Sequence, residues 1–490
     1  MFPTPPLVLP WQPLAALWST PLSAQPASLF LAEVAETPQA EYGSFVVTGV
    51  LLSLIVVYFT SKLGGELSKR LDLPPVLGEL VGGVLVGVSA FHLLMFPENS
   101  AGATDSVIIQ SLQWLGNLDT AAVTQIFQSQ SEVIEVLAEL GVIVLLFEIG
   151  LESDLRELGK VGYQAAIVAV VGVVTPFALG TLGLMFFFHT PAIPAIFAGA
   201  ALTATSIGIT SKVLSELGYL KSTEGQIIVG AAVMDDVLGI VVLAVVASLA
   251  KTGEVDLLNV LFLIGSASAF LVGSVLLGKF FNSSFMAIAD KLQTRGALLI
   301  PAFTFALFMA VLANLIHLEA ILGAFAAGLV LDETDKRKEL DQQVMPIADI
   351  LVPIFFVTVG AKADLSVLNP IVPENRAGLV IASFLIVVAI AGKVVTGWGV
   401  FGKPGINRLA IGFGMVPRGE VGLVFAGIGS ASGVLDKPLE AAIIVMVILT
   451  TFLAPPLLQW ALKDSPAPEP EVKAPPQPTN FFAALFSNSK

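Results

Sequence analysis

The 490-residue chain contains no cysteine, and only 13% of its residues are charged, against about a quarter in a typical soluble domain. The absence of cysteine excludes disulfides, thiolate metal sites and a cysteine nucleophile. The scarcity of charge, together with 55% apolar residues and a mean hydropathy of +0.88, excludes a water-soluble fold. With 24 Lys and Arg against 38 Asp and Glu, the chain has no basic stripe to bind nucleic acid. No GxGxxG or P-loop motif indicates nucleotide binding.

Apolar runs fill most of the chain. A membrane-spanning helix needs about 20 mostly apolar residues, and these continuous runs lack the alternation that is typical of a barrel strand. The sequence therefore predicts an all-α polytopic membrane protein with 13 transmembrane helices. The predicted spans begin near Gly43, Pro75, Val133, Val161, Ile193, Gln226, Leu257, Ala297, Ala320, Ala348, Ala377, Leu409 and Ala441.

The distribution of basic residues predicts the orientation of these spans. With the N-terminus outside, 18 of the 24 Lys and Arg residues fall on the cytoplasmic side and 4 on the opposite side. We expect a bacterial plasma (inner) membrane protein with an external N-terminus and a cytoplasmic C-terminus, and an internal membrane such as the thylakoid remains an alternative. Residues 1–42 are predicted to form an N-terminal extension, and residues 463–490, rich in Pro and Glu, a disordered cytoplasmic tail.

Two recurring motifs indicate an internal repeat. Related spans are seven apart, an odd number, so the two copies cross the membrane in opposite directions. This predicts an inverted 6+1+6 repeat, which is typical of secondary transporters. The second and third spans match the ninth and tenth at offsets of 245 and 210 residues, pairing Leu77, Gly78 and Gly83 with Leu322, Gly323 and Gly328, and Gly150 and Asp154 with Gly360 and Asp364.

Asp235 and Asp236 lie inside the sixth span. An ionisable group in a span costs about 2.5–3.5 kcal/mol on insertion scales, and two adjacent carboxylates also repel one another. Either protons or a small hard cation would relieve this cost, so the pair predicts a cation and proton exchange site with oxygen ligands. The alternative is a pair near a helix end that reaches water. In the repeat the two carboxylates correspond to Val445 and Met446, so only one copy carries them.

Lys393 lies in the eleventh span without a nearby carboxylate in the sequence. Because a buried ammonium needs a counter-ion to keep its proton, we expect Lys393 to reach Asp235 or Asp236. The alternative is that its long side chain snorkels to water.

Two spans contain signals for a broken helix. Thr203 to Gly208 interrupt the fifth span, and Gly412 to Gly419 interrupt the twelfth, so the breaks occupy equivalent places in the two copies. Arg418 and Glu420 could neutralise one another or hold the half-helix ends. Glu148 is a weaker candidate, because it lies close to a predicted cytoplasmic end where water can solvate it.

Together, the Asp235-Asp236 pair, Lys393 and the Pro417–Glu420 segment resemble the monovalent cation:proton antiporter superfamily, and within it the NapA-like sodium/proton antiporters. The resemblance implies electrogenic exchange, with Asp236 binding the cation and Asp235 forming a proton-sensitive ion pair with Lys393. Thr205 would lie at the fifth-span break, beside Ser206, where some relatives carry an acidic residue. It also implies a homodimer in a membrane domain at residues 43–462, with dimerisation helices at 43–151 and 297–365, core helices at 161–249 and 377–462, and a linker helix at 257–280.

The leading hypothesis is therefore sodium/proton exchange by alternating access at a buried Asp-Asp site. The partners would be membrane lipid, protons and a monovalent cation, with K⁺ or Li⁺ as other candidates for Na⁺, and no resident cofactor or nucleotide-binding domain is expected. Potassium/proton exchange is the first alternative, and a cation channel is a more distant one. An intramembrane aspartyl protease is disfavoured, because neighbouring residues on one helix point about 100° apart.

Overall fold

The computed structural model describes residues 38–97, 102–153, 155–252, 257–270, 273–274, 291–332, 334–402, 405–463 and 465. The described residues form an all-helical protein, as the sequence predicted. Nearly all of the predicted tail and of the predicted N-terminal extension, and part of the predicted linker helix at 257–280, lie outside the described residues. The sixteen helices described are α1 (Pro38–Arg70), α2 (Pro75–Val86), α3 (Val107–Gly116), α4 (Thr120–Glu152), α5 (Leu155–Phe187), α6 (Ala192–Ala201), α7 (Ile207–Glu216), α8 (Thr223–Thr252), α9 (Leu257–Phe270), α10 (Leu299–Leu315), α11 (Ala320–Asp332), α12 (Arg337–Ala361), α13 (Pro373–Val394), α14 (Arg408–Gly414), α15 (Glu420–Ala431) and α16 (Lys437–Leu462).

Each predicted span coincides with one helix or with a pair of half-helices. The fifth span is the pair α6 and α7, and the twelfth is the pair α14 and α15. Within the described part of the chain, six helices are long and apolar enough to cross a membrane by length and composition, and six further apolar helices have 10–17 residues. The number of thirteen crossings stays a prediction.

The structure differs from the prediction at several places. Helix α12 begins at Arg337, eleven residues before the expected Ala348. Helix α4 begins at Thr120, well before the expected Val133, where the Asp119 carboxylate accepts a 2.7 Å hydrogen bond from the backbone N–H of Ala122. Helix α3 lies in a segment that the sequence placed in a loop. Both segments mix apolar and polar residues, so a search for continuous apolar runs passes over them.

Close glycine contacts follow the predicted repeat. A Cβ atom on Gly83 would lie 2.3 Å from the Val357 carbonyl oxygen and 2.8 Å from the Gly360 Cα. A Cβ atom on Gly328 would lie 2.3 Å from the Phe147 carbonyl oxygen and 2.8 Å from the Gly150 Cα. Because the repeat relates Gly83 to Gly328 and Gly360 to Gly150, these two crossings are the same contact made twice. Small residues let the helix backbones approach at both places.

The helices pack as two groups. The first helix group comprises α1, α2, α4, α10, α11 and α12, and the second comprises α5 to α8 and α13 to α16. The groups meet where α4 and α2 contact α7, and where α16 contacts α2. The assignment of the first group to dimerisation and of the second to a mobile core stays a prediction.

Candidate functional site

The two broken helices meet at the centre of the second helix group. The break between α6 and α7 lies at residues 202–206, and the break between α14 and α15 lies at residues 415–419. The Ser206 backbone N–H donates a 2.8 Å hydrogen bond to the Pro417 carbonyl oxygen. The Thr205 hydroxyl donates to the Met415 carbonyl at 3.2 Å, and the Thr210 hydroxyl to the Gly414 carbonyl at 2.8 Å. The two breaks therefore satisfy one another's backbone groups, which a low-dielectric interior requires.

Arg418, in the second break, forms hydrogen bonds to the first break. Its side chain is 0% exposed, and its guanidinium donates hydrogen bonds to the carbonyl oxygens of Thr203, at 3.2 Å, and Ala204. The Thr451 hydroxyl donates a 2.5 Å hydrogen bond to the Arg418 carbonyl oxygen. A cation beside the carbonyls at the end of α6 also complements the negative end of that helix dipole. Arg418 thus contacts the half-helix end, one of the two arrangements the sequence suggested, and the side chain of Glu420 lies outside the described residues.

Asp235 and Lys393 form an ion pair in the protein interior. The Lys393 Nζ lies 3.3 Å from Oδ1 and 3.2 Å from Oδ2 of Asp235, and both side chains are 0% exposed. The structure therefore brings together two residues that are 158 positions apart in the chain. Removing either partner would leave a buried charge without compensation.

Asp236 faces a different environment from its neighbour. It lines a narrow cavity together with Thr205 and Ser206 of the first break and Gly419 of the second, and also with Glu319. Neighbours on a helix point about 100° apart, so one carboxylate can pair with Lys393 while the other faces the breaks. Carboxylate, hydroxyl and carbonyl oxygens are the ligands that hard cations prefer.

These oxygens would have to come from several kinds of group. Among the described residues, no set of three or more His, Cys, Asp or Glu side chains could hold a metal ion. A cation at Asp236 would therefore need hydroxyl, carbonyl or water oxygens to complete its shell. Such a mixed shell suits a cation that must also leave the site.

The boundary between the two helix groups is closed at one end of the molecule, which we call the Lys212 end. The Ser215 hydroxyl of α7 donates to Glu152 Oε2 of α4 at 3.3 Å. Glu216 Oε2 accepts a 3.3 Å hydrogen bond from the backbone N–H of Val76 in α2. Glu148, which the sequence proposed as a supporting residue, lies in this region near Lys212 and Glu152. Glu148 is not among the residues that line the Asp236 cavity.

At the opposite end, which we call the His317 end, the boundary is open. A wide cavity of about 490 Å³ is lined by Glu139 and Val142 of α4, by Ile240 of α8, and by residues 314–321 around the start of α11. A second cavity of about 290 Å³ lies between α4 and α12 on one side and α15 and α16 on the other, and Arg418 contributes to its lining.

Glu319 is a residue that the sequence analysis missed. It lines the narrow cavity with Asp236, and it also lines the wide cavity. The signal for it was weak, because Glu319 immediately precedes a predicted span and such acids are ordinarily solvated loop residues. Its position beside Asp236 depends on packing between helices that are distant in sequence.

Comparisons with known proteins identify the family of this chain. The family model described as "Sodium/hydrogen exchanger, transmembrane" matches residues 51–464. The chain is 60% identical over 448 residues to the high-affinity Na⁺/H⁺ antiporter NhaS3 of Synechocystis, covering 91% of this chain and 97% of that protein. It is 32% identical over 416 residues to the Na⁺/H⁺-K⁺ antiporter GerN of Bacillus cereus, covering 83% of this chain and 95% of that protein.

A solved structure shares the fold. The sodium proton antiporter MjNhaP1 of Methanocaldococcus jannaschii superposes with a TM-score of 0.57 at 16% sequence identity, covering 86% of this chain and 97% of that one. At this level of identity the likeness is one of fold.

Proposed function

Because the chain belongs to the sodium/hydrogen exchanger family, we propose that it is a secondary sodium/proton antiporter that works at the Asp235–Asp236 site. Family membership places it among multi-pass membrane transporters, and it is not an enzyme. The observation that carries the proposal is that a buried carboxylate, Asp236, lines one cavity with residues from the breaks of both broken helices. The name of the 60% identical relative supports sodium as the cation.

The proposed exchange rests on the different surroundings of the two carboxylates. Asp236 binds either a proton or the cation, since a bare carboxylate in this interior is costly. Asp235 forms an ion pair with Lys393. This pair gains or loses one proton when the site exchanges the cation for protons. Two protons carried one way against one sodium ion carried back would move one net charge per cycle, so the exchange is electrogenic.

Potassium is the second candidate cation. The relative GerN is named as a Na⁺/H⁺-K⁺ antiporter, and carboxylate and carbonyl oxygens also bind potassium. Selectivity between the two ions depends on cavity size and on the number of ligands. Separate titrations of Na⁺, K⁺ and Li⁺ in the proteoliposomes described below would distinguish the candidate cations.

The surface of α1 supports a membrane and dimer assignment. Its exposed positions include Val47, Leu51, Ile55 and Phe59, each more than half exposed. Such an apolar face on the first helix group fits lipid or a second copy of the chain. We propose a homodimer in a bacterial membrane, with the C-terminus in the cytoplasm and no resident cofactor.

Transport by purified protein in proteoliposomes with an internal pH-sensitive dye tests the proposed function. We expect Na⁺ to drive proton movement, and Asp236→Asn to abolish it because the amide can neither bind a cation by charge nor carry a proton. Asp349→Asn is the matched control, since Asp349 is an exposed carboxylate on α12. Sodium-driven proton movement that survives Asp236→Asn would refute the proposed site.

A further inference from the structure

The wide cavity at the His317 end reaches the narrow cavity at Asp236 past one particular carboxylate. The cavity of about 290 Å³ also adjoins the narrow cavity, at Val142, Phe355 and Gly419. The wide cavity of about 490 Å³ and the narrow cavity at Asp236 share three lining residues, which are Val142, Glu319 and Ile321. Val142 and Ile321 are apolar, so Glu319 is the charged side chain at the junction of the two cavities. A cation that moves between them has to pass beside its carboxylate.

The local fold fixes Glu319 at this junction. It immediately precedes α11, and its carbonyl oxygen accepts a 3.1 Å hydrogen bond from the backbone N–H of Leu322. The positive end of the α11 dipole favours a negative charge at this position. The turn before it contains His317 with φ of 63°, in the left-handed region that a side chain rarely adopts. This left-handed residue ends α10, with the Leu318 backbone N–H donating to the Ala313 carbonyl oxygen, and the turn places Glu319 at the start of α11.

Glu319 and Asp236 belong to different helix groups. Glu319 precedes α11 of the first helix group, whereas Asp236 lies on α8 of the second. A movement of one group past the other would separate the two carboxylates. Glu319 can therefore serve Asp236 only in the state in which the cavity opens at the His317 end.

We propose that Glu319 is the entry carboxylate for the cation at the His317 end, a specificity-determining residue that replaces part of the hydration shell before the cation reaches Asp236. This inference rests on the proposed function of Asp236. Glu139 has a different task, because it lines the wide cavity and not the narrow one. Its charge contributes only to the general attraction of cations into the cavity, a long-range effect that salt screens.

The test measures the KM for Na⁺ separately at the two faces of the membrane, with the full chain in proteoliposomes whose orientation is scored by protease access to an appended tag. We expect Glu319→Gln to raise the KM at the His317 face by about tenfold, because the neutral amide loses the charge-assisted contact that the carboxylate makes with the cation. The maximal rate and the KM at the opposite face should stay within about twofold of the wild type, since Asp236 itself is intact. Glu319→Asp should recover most of the affinity.

The matched control is Glu139→Gln, which removes the same charge from the wide cavity. We expect its KM to rise by about threefold or less at low salt, and this rise to disappear when choline chloride is added. The effect of Glu319→Gln should persist in choline chloride, because it acts at contact distance. An equal rise in KM at both faces, or a loss at Glu319 that salt removes as it does at Glu139, would overturn the inference.

The same preparation separates failure of this inference from failure of the proposed function. If the Asp236→Asn variant still transports, both the proposed site and the entry role of Glu319 are refuted. If the KM of Glu319→Gln equals that of the wild type and Asp236→Asn is inactive, the entry role of Glu319 is refuted and the proposed site is not. If Glu319→Gln fails to fold, as judged by gel filtration, the test passes to Glu319→Asp, whose KM at the His317 face should still exceed that of the wild type by about twofold.

Discussion

The two copies of the inverted repeat agree in their packing and differ in their charge. The glycine crossings at Gly83–Gly360 and Gly328–Gly150 bring backbone atoms to the same distances at opposite ends of the molecule. The copies differ at the buried pair, since Asp235 and Asp236 in one correspond to Val445 and Met446 in the other. Both of the latter lie in an apolar cluster. Both copies therefore contain the same close helix crossing, whereas only one copy contains the pair of carboxylates.

The largest expected effect concerns the charged copy. Lys393→Met leaves the Asp235 carboxylate buried without its partner, and breaking a buried ion pair in this way costs about 3–5 kcal/mol. We expect a lower melting temperature in detergent by differential scanning fluorimetry. We also expect the electrogenic transport current on a supported membrane to disappear, because Asp235 and Lys393 no longer carry the second proton.

The double variant Asp235→Asn with Lys393→Met sharpens this prediction. It removes both charges at once, so most of the thermal stability should return while the electrogenic current stays absent. Met446→Leu in the other copy is the control, and it should leave both measurements within error. A Lys393→Met protein with an unchanged pH profile and unchanged charge movement would contradict the role of the ion pair.

A smaller effect tests the agreement in packing. Gly83→Ala and Gly328→Ala each force a methyl group against backbone atoms of the facing helix, and overpacking of this kind costs about 1–3 kcal/mol. Because the repeat makes the two contacts equivalent, the two variants should lower the melting temperature by similar amounts. Gly427→Ala on α15 is the control, since an added Cβ there meets no atom within 4 Å. Losses that differ severalfold between the two crossings would show that the copies are not equivalent in packing.

The sequence predicted the features of this molecule that local chemistry dictates. Apolar runs indicated the spans. The odd number of spans from the helix of Gly83 to the helix of Gly328 indicated that the two copies are inverted. The cost of a buried ammonium without a counter-ion indicated that Lys393 pairs with one of the two carboxylates. Glu319 could not be found in this way, because its role depends on the residue before α11 lining the same cavity as Asp236 of α8, which no local pattern encodes. For Arg418 the sequence left two arrangements open, and the structure shows the guanidinium bonded to backbone carbonyls at the α6 end.

The smallest expected effect concerns a second difference between the copies, which is where the boundary between the helix groups closes. At the Lys212 end the Ser215 hydroxyl contacts Glu152. At the 210-residue offset, Glu152 corresponds to Lys362 in the other copy. Lys362 lies at the His317 end, where it lines the cavity of about 290 Å³. Ser215→Ala removes a contact of about 1 kcal/mol. We expect this contact to exist only in the state that opens at the His317 end, so its loss should shift the population toward the state that opens at the Lys212 end. The KM at the His317 face should then rise by up to about fivefold. Ser432→Ala is the control, because the Ser432 hydroxyl bonds only to carbonyls of its own helix, α15. A KM that moves equally in both variants would show that the Ser215 contact does not hold the boundary closed.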